Sequence, residues 1–190
     1  MKHLHMAWAG ALLLAGTMAA SAGEITDLAK DAEAKLAAGN SVEAMEMLRG
    51  AVALADARSP LAFRKIVFVS EGPTGFGVYK EHAGNVFKPG EPLIVYAEPL
   101  GMGWAPQDGG LFHSALSADF EIRSPEGRIL TGKRDFGHFE FVSHEQNKEI
   151  RTDVTINLTG ATAGKYVLGL TYHDGATGKS ANFDLPFEIR

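Results

Sequence analysis

Two neighbouring segments decide the fold: GKYVLGLTYHD (residues 164–174) and SANFDLPFEI (residues 180–189). Apolar side chains occupy every second position in both, namely Tyr166, Leu168, Leu170, Tyr172, Ala181, Phe183, Leu185, Phe187 and Ile189. This two-residue period is typical of a strand with one buried face and one solvent-facing face. The turn residues of 174–178 join the two strands into an antiparallel pair. Pro186 indicates an edge position or a bulge, because proline lacks the N–H that a central strand needs.

The same alternation recurs over residues 116–123 and 153–158, and further apolar runs lie at 63–69, 93–97 and 136–142. Proline- and glycine-containing turns separate several of these segments, and no helical pattern lies between them. The pattern predicts an antiparallel β-sandwich of about seven to nine strands over residues 60–190.

Residues 23–59 are different, because their apolar residues recur at three- and four-residue steps. The first stripe comprises Ile25, Leu28, Ala32 and Leu36, and the second comprises Val42, Met45, Leu48, Val52 and Ala55. Gly39 and Asn40 end the first helix, Ser41 is the expected N-cap of the second, and Pro60 stops the pattern. The sequence therefore predicts an N-terminal α-hairpin on a mainly β protein.

The second helix resembles the second half of a tetratricopeptide repeat through the spacing of Gly39, Ala44, Leu48 and Ala51. The first helix departs from that repeat, with Asp31 and Lys35 at its aromatic and leucine positions, and the chain carries no second copy. Because solenoid units need neighbours to bury their faces, we interpret the hairpin as a single element. It packs on the β domain or forms a homo-oligomer interface.

Residues 158–189 resemble the end of immunoglobulin-like and fibronectin-like domains. The resemblance assigns Tyr166 a structural role, in which its hydroxyl bonds back to the preceding loop. The Cys–Trp–Cys signature of antibody domains is absent. More widely, residues 87–98 together with 164–189 resemble an uncharacterised group of exported bacterial proteins, which implies a fold and a compartment but no activity.

Residues 1–22 are predicted to be a signal peptide. Lys2 precedes an apolar run over 6–20, and Ala20-Ser21-Ala22 fits a signal-peptidase site. An apolar run of about fifteen residues is shorter than the ~20 that span a bilayer, so no integral membrane segment is expected in the mature chain. We therefore expect a periplasmic or secreted protein. The sequence contains no cysteine, so burial rather than disulfide bonds must hold it together.

The charge of the chain argues against nucleic acid as a partner. It has 18 basic and 23 acidic residues, a net charge of −5, and no basic block. A nucleic-acid-binding surface requires clustered Lys and Arg to neutralise phosphates.

The leading binding candidate is the segment 99–110, which has no strand pattern and contains Trp104. A tryptophan on a long loop is a good anchor for a sugar ring or a partner protein. The predicted ligand- or partner-binding residues are Trp104, Met102, Phe76, Gln107 and Asp108. The corresponding function is a non-enzymatic binding module for a protein or glycan, without a cofactor.

Two alternatives remain open. The first is a copper- or zinc-binding protein, in which His113, His138 and His173 point to solvent and converge. The sequence has no HxH or HExxH spacing and no cysteine to complete such a site. The second, less favoured, is a hydrolase with a carboxylate pair. No spacing selects two of its candidates: Glu91, Glu98, Asp108, Asp119, Glu121, Glu140 and Glu145.

Overall fold

The computed structural model describes residues 23–190, so the predicted signal peptide lies outside the described residues. Two helices, α1 (Glu24–Ala37) and α2 (Ser41–Arg58), precede the strands. The strands are β1 (Ala62–Val69), β2 (Val86–Phe87), β3 (Leu93–Leu100), β4 (Ala105–Gln107), β5 (Leu111–Arg123), β6 (Ile129–Ser143), β7 (Thr152–Ile156), β8 (Gly164–Asp174) and β9 (Ser180–Ile189). The prediction of a mainly β protein with an N-terminal α-hairpin is confirmed. Neither helix is both long and apolar enough to cross a membrane.

The strands form two sheets. The smaller sheet has the order β1-β3-β7 and is antiparallel throughout. In the larger sheet, the strands β2, β9, β8 and β5 lie side by side in that order. Strands β8 and β4 both pair with one edge of β5, and β6 pairs with its opposite edge. The only parallel pair in the described chain is the short contact between β2 and β9.

Both sheets contribute to one apolar core. The smaller sheet supplies Phe68, Leu93, Val95, Val154 and Ile156, and the larger sheet supplies Leu116, Ala118, Ile122, Leu168, Leu170, Tyr172, Phe187 and Ile189. The ring of Phe63 lies edge-on to Tyr172 and Phe183, with centroid distances of 4.9 and 5.0 Å. Because the core takes every second residue of β5 and β8, the residues between them face away from it.

Tyr166 and Pro186 occupy the positions expected for their residue types. The Tyr166 hydroxyl donates a hydrogen bond to the carbonyl oxygen of Thr162 at 2.8 Å, and its ring stacks on Phe187. Pro186 opposes Val167 of β8, and β2 reaches β9 only at Glu188 and Ile189. The missing N–H of Pro186 therefore falls where β9 has a strand partner on one side only.

The helices of the hairpin pack against each other through small residues. Ala32, Ala44 and Ala51 are buried between them. Gly39 adopts a left-handed conformation, with φ of 81°, as a residue after a helix C-terminus commonly does. The prediction of Ser41 as N-cap is wrong by one position, because α2 already begins at Ser41 and Asn40 precedes it.

The C-terminal end of α2 joins the hairpin to the sheets. The Asp56 carboxylate accepts hydrogen bonds from the backbone N–H of Gly101 and from the ammonium group of Lys148. The Lys179 ammonium group donates to the carbonyl oxygens of Ala57, Ser59 and Gly101 at 2.7 to 3.2 Å. The hairpin is therefore fixed at one end. Elsewhere it exposes apolar side chains, namely Leu36, Val42, Met45 and Val52. Their role in a homo-oligomer stays a prediction.

Gly101 provides a direct test of this junction. A Cβ atom at Gly101 would lie 2.1 Å from the carbonyl oxygen of Pro60, and its φ is +73°. Gly109 has a similar φ of +79° but open space around it. We expect Gly101→Ala to lower the free energy of unfolding by more than about 3 kcal/mol, and Gly109→Ala by only about 1 kcal/mol. Urea unfolding measures both. Equal losses would show that the contact with Pro60 is not tight.

Candidate functional site

The segment 99–110 is more regular than the sequence predicts. Strand β3 continues to Leu100, and Ala105–Gln107 form β4, which pairs with the start of β5. The expectation of one long loop is therefore wrong. The irregular parts are a short crossing at 101–104 and a tight turn at 108–110.

Polar side chains anchor the crossing to its surroundings. The Asp174 carboxylate accepts a 2.7 Å hydrogen bond from the backbone N–H of Gly103, although Asp174 is only 2% exposed. Met102 is 4% exposed and belongs to the core. Trp104 packs against that core, and its indole Nε1 is buried without a hydrogen-bond partner in the described chain. Met102 and Trp104 therefore contribute to the packing of the fold in this structure.

The other three predicted ligand contacts do not gather around Trp104. Gln107 and Asp108 are exposed at the β4–β5 turn. Phe76 lies near β1, where the guanidinium carbon of Arg64 sits 5.0 Å from its ring centroid. In the described chain, Phe76 and Trp104 do not stack on one another. Binding by these residues stays a prediction.

A buried polar chain fixes the glycine-rich segment beside Phe76. The Tyr96 hydroxyl accepts a hydrogen bond from the backbone N–H of Gly77 and donates to Glu98, both at 2.7 Å. Glu98 is 3% exposed and pairs with Arg64 at 2.6 Å. Burial raises the pKa of Tyr96, since the ionised phenolate would be poorly solvated. The carboxylate of Glu98, one of the candidate catalytic residues, is thus held by a hydrogen bond from Tyr96 and an ion pair with Arg64.

Two of the three candidate histidine ligands lie on the same face of the larger sheet, two strands apart. In the strand register, His138 of β6 and His173 of β8 both lie opposite Ser117 of β5, one on each side. His113 is four residues away on β5, opposite Val142. Within residues 23–190, no three His, Asp or Glu side chains are arranged to hold a metal ion.

A groove of about 760 Å³ lies on the outer face of the larger sheet. Its floor is a row of side chains on neighbouring strands, in which Asp119 of β5 lies opposite Thr171 of β8, and Thr171 lies opposite Asn182 of β9. Residues of β6, including Arg134, form one rim, and His173 lies at the end nearest to Ser117. The groove is therefore polar over most of its length.

Gly169 allows an ion pair to cross the groove. A Cβ atom at Gly169 would lie 2.6 Å from Nη2 of Arg123. Without that atom, the Arg123 guanidinium passes over β8 and pairs with the Asp184 carboxylate on β9. Glu121 lies 4.0 Å from Arg123 on the same strand. At this end of the groove, one guanidinium therefore lies between two carboxylates.

The other carboxylate of the groove is held by the backbone. Asp119 accepts a 2.7 Å hydrogen bond from the N–H of Asp135, and its second oxygen lies 3.1 Å from Nε2 of His173. Asp135 sits at a bulge between β5 and β6 with a φ of 52°, which turns its N–H toward Asp119. The backbone hydrogen bond, followed by the contact with His173, lowers the pKa of Asp119.

Sequence reasoning missed this groove. Its residues are polar positions in strands with a two-residue alternation. Side chains at such positions usually only contact solvent. Only the adjacency of β5, β8 and β9 places Asp119, Thr171 and Asn182 side by side.

Comparisons with known proteins give no family. The chain matches no protein-family model and no curated protein. Among solved structures, it is similar to the alkylpurine DNA glycosylase AlkC of Pseudomonas fluorescens bound to DNA containing an abasic site analog. That match has 10% identity and a TM-score of 0.37, and covers 82% of this chain and 39% of the other. The chain therefore spans about two fifths of the length of that glycosylase.

Two further structures show weaker similarity. Superoxide reductase (neelaredoxin) from Ignicoccus hospitalis has 10% identity and a TM-score of 0.31, with 67% of this chain and 82% of that chain covered. A family 123 glycoside hydrolase from Clostridium perfringens has 16% identity and a TM-score of 0.31, with 70% and 27% covered. At these TM-scores, the comparisons establish no enzymatic activity for this chain.

The hydrogen bonds to Asp119 predict a pH dependence of stability. Because its pKa is lower in the folded chain than the ordinary 3.8, its ionised form stabilises the fold at neutral pH. That contribution is lost as the pH falls through the lowered pKa. We expect Asp119→Asn to cost about 1 kcal/mol at pH 7 and progressively less below about pH 4. Urea unfolding at several pH values measures this.

Asp108→Asn, in the exposed β4–β5 turn, is the control for removing one negative charge. If the difference between wild type and Asp119→Asn stays constant down to about pH 2, the pKa of Asp119 is not set by these contacts.

Proposed function

We propose that this protein is an exported, non-enzymatic binding module whose ligand occupies the groove on the outer face of the larger sheet. The observation that carries the proposal is the pair Thr171 and Asn182 on the groove floor. Their hydroxyl and amide groups lie opposite one another and form no hydrogen bond with another described side chain. A hydroxyl and an amide together offer several unused donors and acceptors for a polar ligand.

The state of the carboxylates favours binding over acid–base catalysis. A general acid that works near neutral pH needs a raised pKa, and contacts with Asp135 and His173 lower that of Asp119. Asp184 is paired with Arg123. The lowered pKa keeps the Asp119 carboxylate ionised at neutral pH, and the Asp184 carboxylate is occupied by its ion pair, so neither is arranged as a general acid.

Export and an immunoglobulin-like arrangement complete the proposal, together with membership of the group of exported bacterial proteins that the sequence resembles. The leader pattern of residues 1–22 supports export. The chain has no cysteine, so its stability after export would not depend on disulfides. The shared core of the two sheets and the bond from Tyr166 to Thr162 support the immunoglobulin-like arrangement.

A second candidate function is the binding of copper or zinc. The observation that favours it is the placement of His138 and His173 on either side of Ser117. Two imidazoles form an incomplete site, so a ligand or a third side chain would have to complete it. Native mass spectrometry with added Cu²⁺ or Zn²⁺ separates the two functions, because stoichiometric uptake lost in His138→Ala supports the metal.

The groove is tested by ligand-induced stabilisation. We expect thermal shifts against a panel of oligosaccharides, amino acids and dicarboxylates to identify a ligand. At 100 times its Kd, that ligand adds about 2.7 kcal/mol to the free energy of unfolding. A Thr171→Val/Asn182→Ala double variant, which removes the floor hydrogen bonds, should lose this stabilisation.

Gln107→Ala/Asp108→Ala is the matched control, since it alters two exposed polar residues outside the groove. If this control loses the ligand and the groove variant retains it, the turn at 108–110 is the binding site and the groove is not.

A further inference from the structure

We propose that the free edge of strand β6 pairs with the same edge of a second copy of this chain, so that the larger sheet continues through a two-fold axis at Phe139. The segment concerned is residues 136–142. This inference is independent of the proposed function, because the residues of β6 that line the groove come before this segment in the chain.

Strand β6 has one edge without a strand partner. It is the longest strand of the described chain, with 15 residues from Ile129 to Ser143. One edge pairs with β5, and within residues 23–190 no strand pairs with the other. Such an edge presents backbone N–H and C=O groups to which the strand of another chain can bind.

The two halves of β6 differ in how well they protect this edge. Lys133, Arg134 and Asp135 place three charges at a bulge, and both charges and bulges hinder the addition of a strand. Residues 136–143 contain no lysine, arginine or proline, and 137–143 pair with β5 without a break in register. The second half of β6 is therefore the part of the edge that is open to another strand.

Apolar side chains on both faces of this segment are incompletely covered. Phe139 and Phe141 pack against the core but are only partly buried. On the outer face, His138, Glu140 and Val142 are exposed, and Val142 retains 55% of its accessible surface. A neighbouring strand would remove more of this apolar surface from water, which stabilises the pair of strands.

Geometry limits the registers that are open to two copies. In one continuous sheet both copies have their cores on the same side, so each residue must oppose a residue that faces the same way. The two-fold axis then passes through a residue that lies opposite its own counterpart. An axis at Phe139 pairs 136–142, an axis at Glu140 pairs 137–143, and every other axis pairs a shorter part of the segment.

The charges of the outer face select between these two registers. An axis at Glu140 places its carboxylate directly opposite the partner's Glu140, and like charges so placed destabilise a sheet. An axis at Phe139 instead places His138 opposite the partner's Glu140, twice over by symmetry. An imidazole N–H donates a hydrogen bond to a carboxylate in the neutral as well as the protonated form. The edge is therefore complementary to itself, which favours a second copy over an unrelated strand.

The side chains around the axis also fit the register at Phe139. On the core face, Phe139 lies opposite the partner's Phe139, and Phe141 lies opposite the partner's Gly137, whose lack of a side chain leaves room for the ring. Within its own chain, Nε2 of His138 lies 3.5 Å from the Asp135 carboxylate, but the two side chains are 63% and 69% exposed. That contact therefore leaves the imidazole accessible to a second carboxylate.

Sedimentation velocity over a concentration series tests this pairing on the chain from residue 23 onward. We expect the wild type to dimerise. His138→Glu places carboxylates opposite one another, and Glu140→Lys leaves His138 opposite an ammonium group that accepts no hydrogen bond. Each change alters both symmetric contacts, so each should raise the Kd of the dimer at least about tenfold.

An equimolar mixture of these two variants tests the register itself. In a dimer of one His138→Glu copy and one Glu140→Lys copy, the introduced glutamate lies opposite the introduced lysine, and the native His138 lies opposite the native Glu140. The mixture should therefore dimerise at concentrations where each variant alone is monomeric. A mixture that stays monomeric would overturn the pairing about Phe139.

Val52→Lys is the matched control, because it adds one positive charge at an exposed apolar position of α2. It should dimerise as the wild type does, and circular dichroism verifies that each variant keeps the fold. Loss of the dimer in Val52→Lys, with both β6 variants unaffected, would place the interface on the hairpin and overturn the pairing of β6.

A wild type that stays monomeric at every concentration also overturns the inference, even if its edge binds a strand of another protein. These results are separate from the test of the groove. The Thr171→Val/Asn182→Ala variant should dimerise like the wild type, since neither residue lies on β6.

Discussion

Burial of two sheets against a single core is the constraint on which the rest of this structure depends. The chain has no cysteine, so apolar burial must supply the cohesion that disulfides give many exported domains. Leu168, Leu170 and Tyr172 are fully buried. Because side chains alternate along a strand, this burial obliges Gly169 and Thr171 to face outward. The groove is thus a consequence of how the core is filled.

Buried polar contacts fix the end of α2 and the segment 101–104 in place. The carbonyl groups at the C-terminal end of α2 carry partial negative charge, and the ammonium group of Lys179 satisfies two carbonyls there. Asp56 and Asp174 hold the backbone of Gly101 and Gly103. These contacts explain why the segment that carries Trp104 is fixed against the rest of the fold, although its sequence is typical of a loop.

The periodicity of apolar residues predicted most of the helices and strands, but it did not predict which strands lie next to one another in the sheets. The hairpin follows from a three- to four-residue pattern, β8 and β9 follow from a two-residue pattern, and β1 follows from an apolar run. The start of β6 was missed, because residues 129–135 are mostly polar or glycine and include a bulge at Asp135. The groove was missed for a different reason. Asp119 and Thr171 are paired across strands about fifty residues apart in the chain, and no local pattern encodes their register.

The absence of cysteine also allows a direct measurement of which residues face outward. Single cysteines are introduced at Thr171 and Asn182 on the groove floor, and at Leu168 and Leu170 in the core, and each is exposed to a thiol reagent under native conditions. We expect rapid labelling at 171 and 182, and labelling at 168 and 170 only at the rate of unfolding. Equal labelling of all four positions in the folded protein would contradict the arrangement of core and groove.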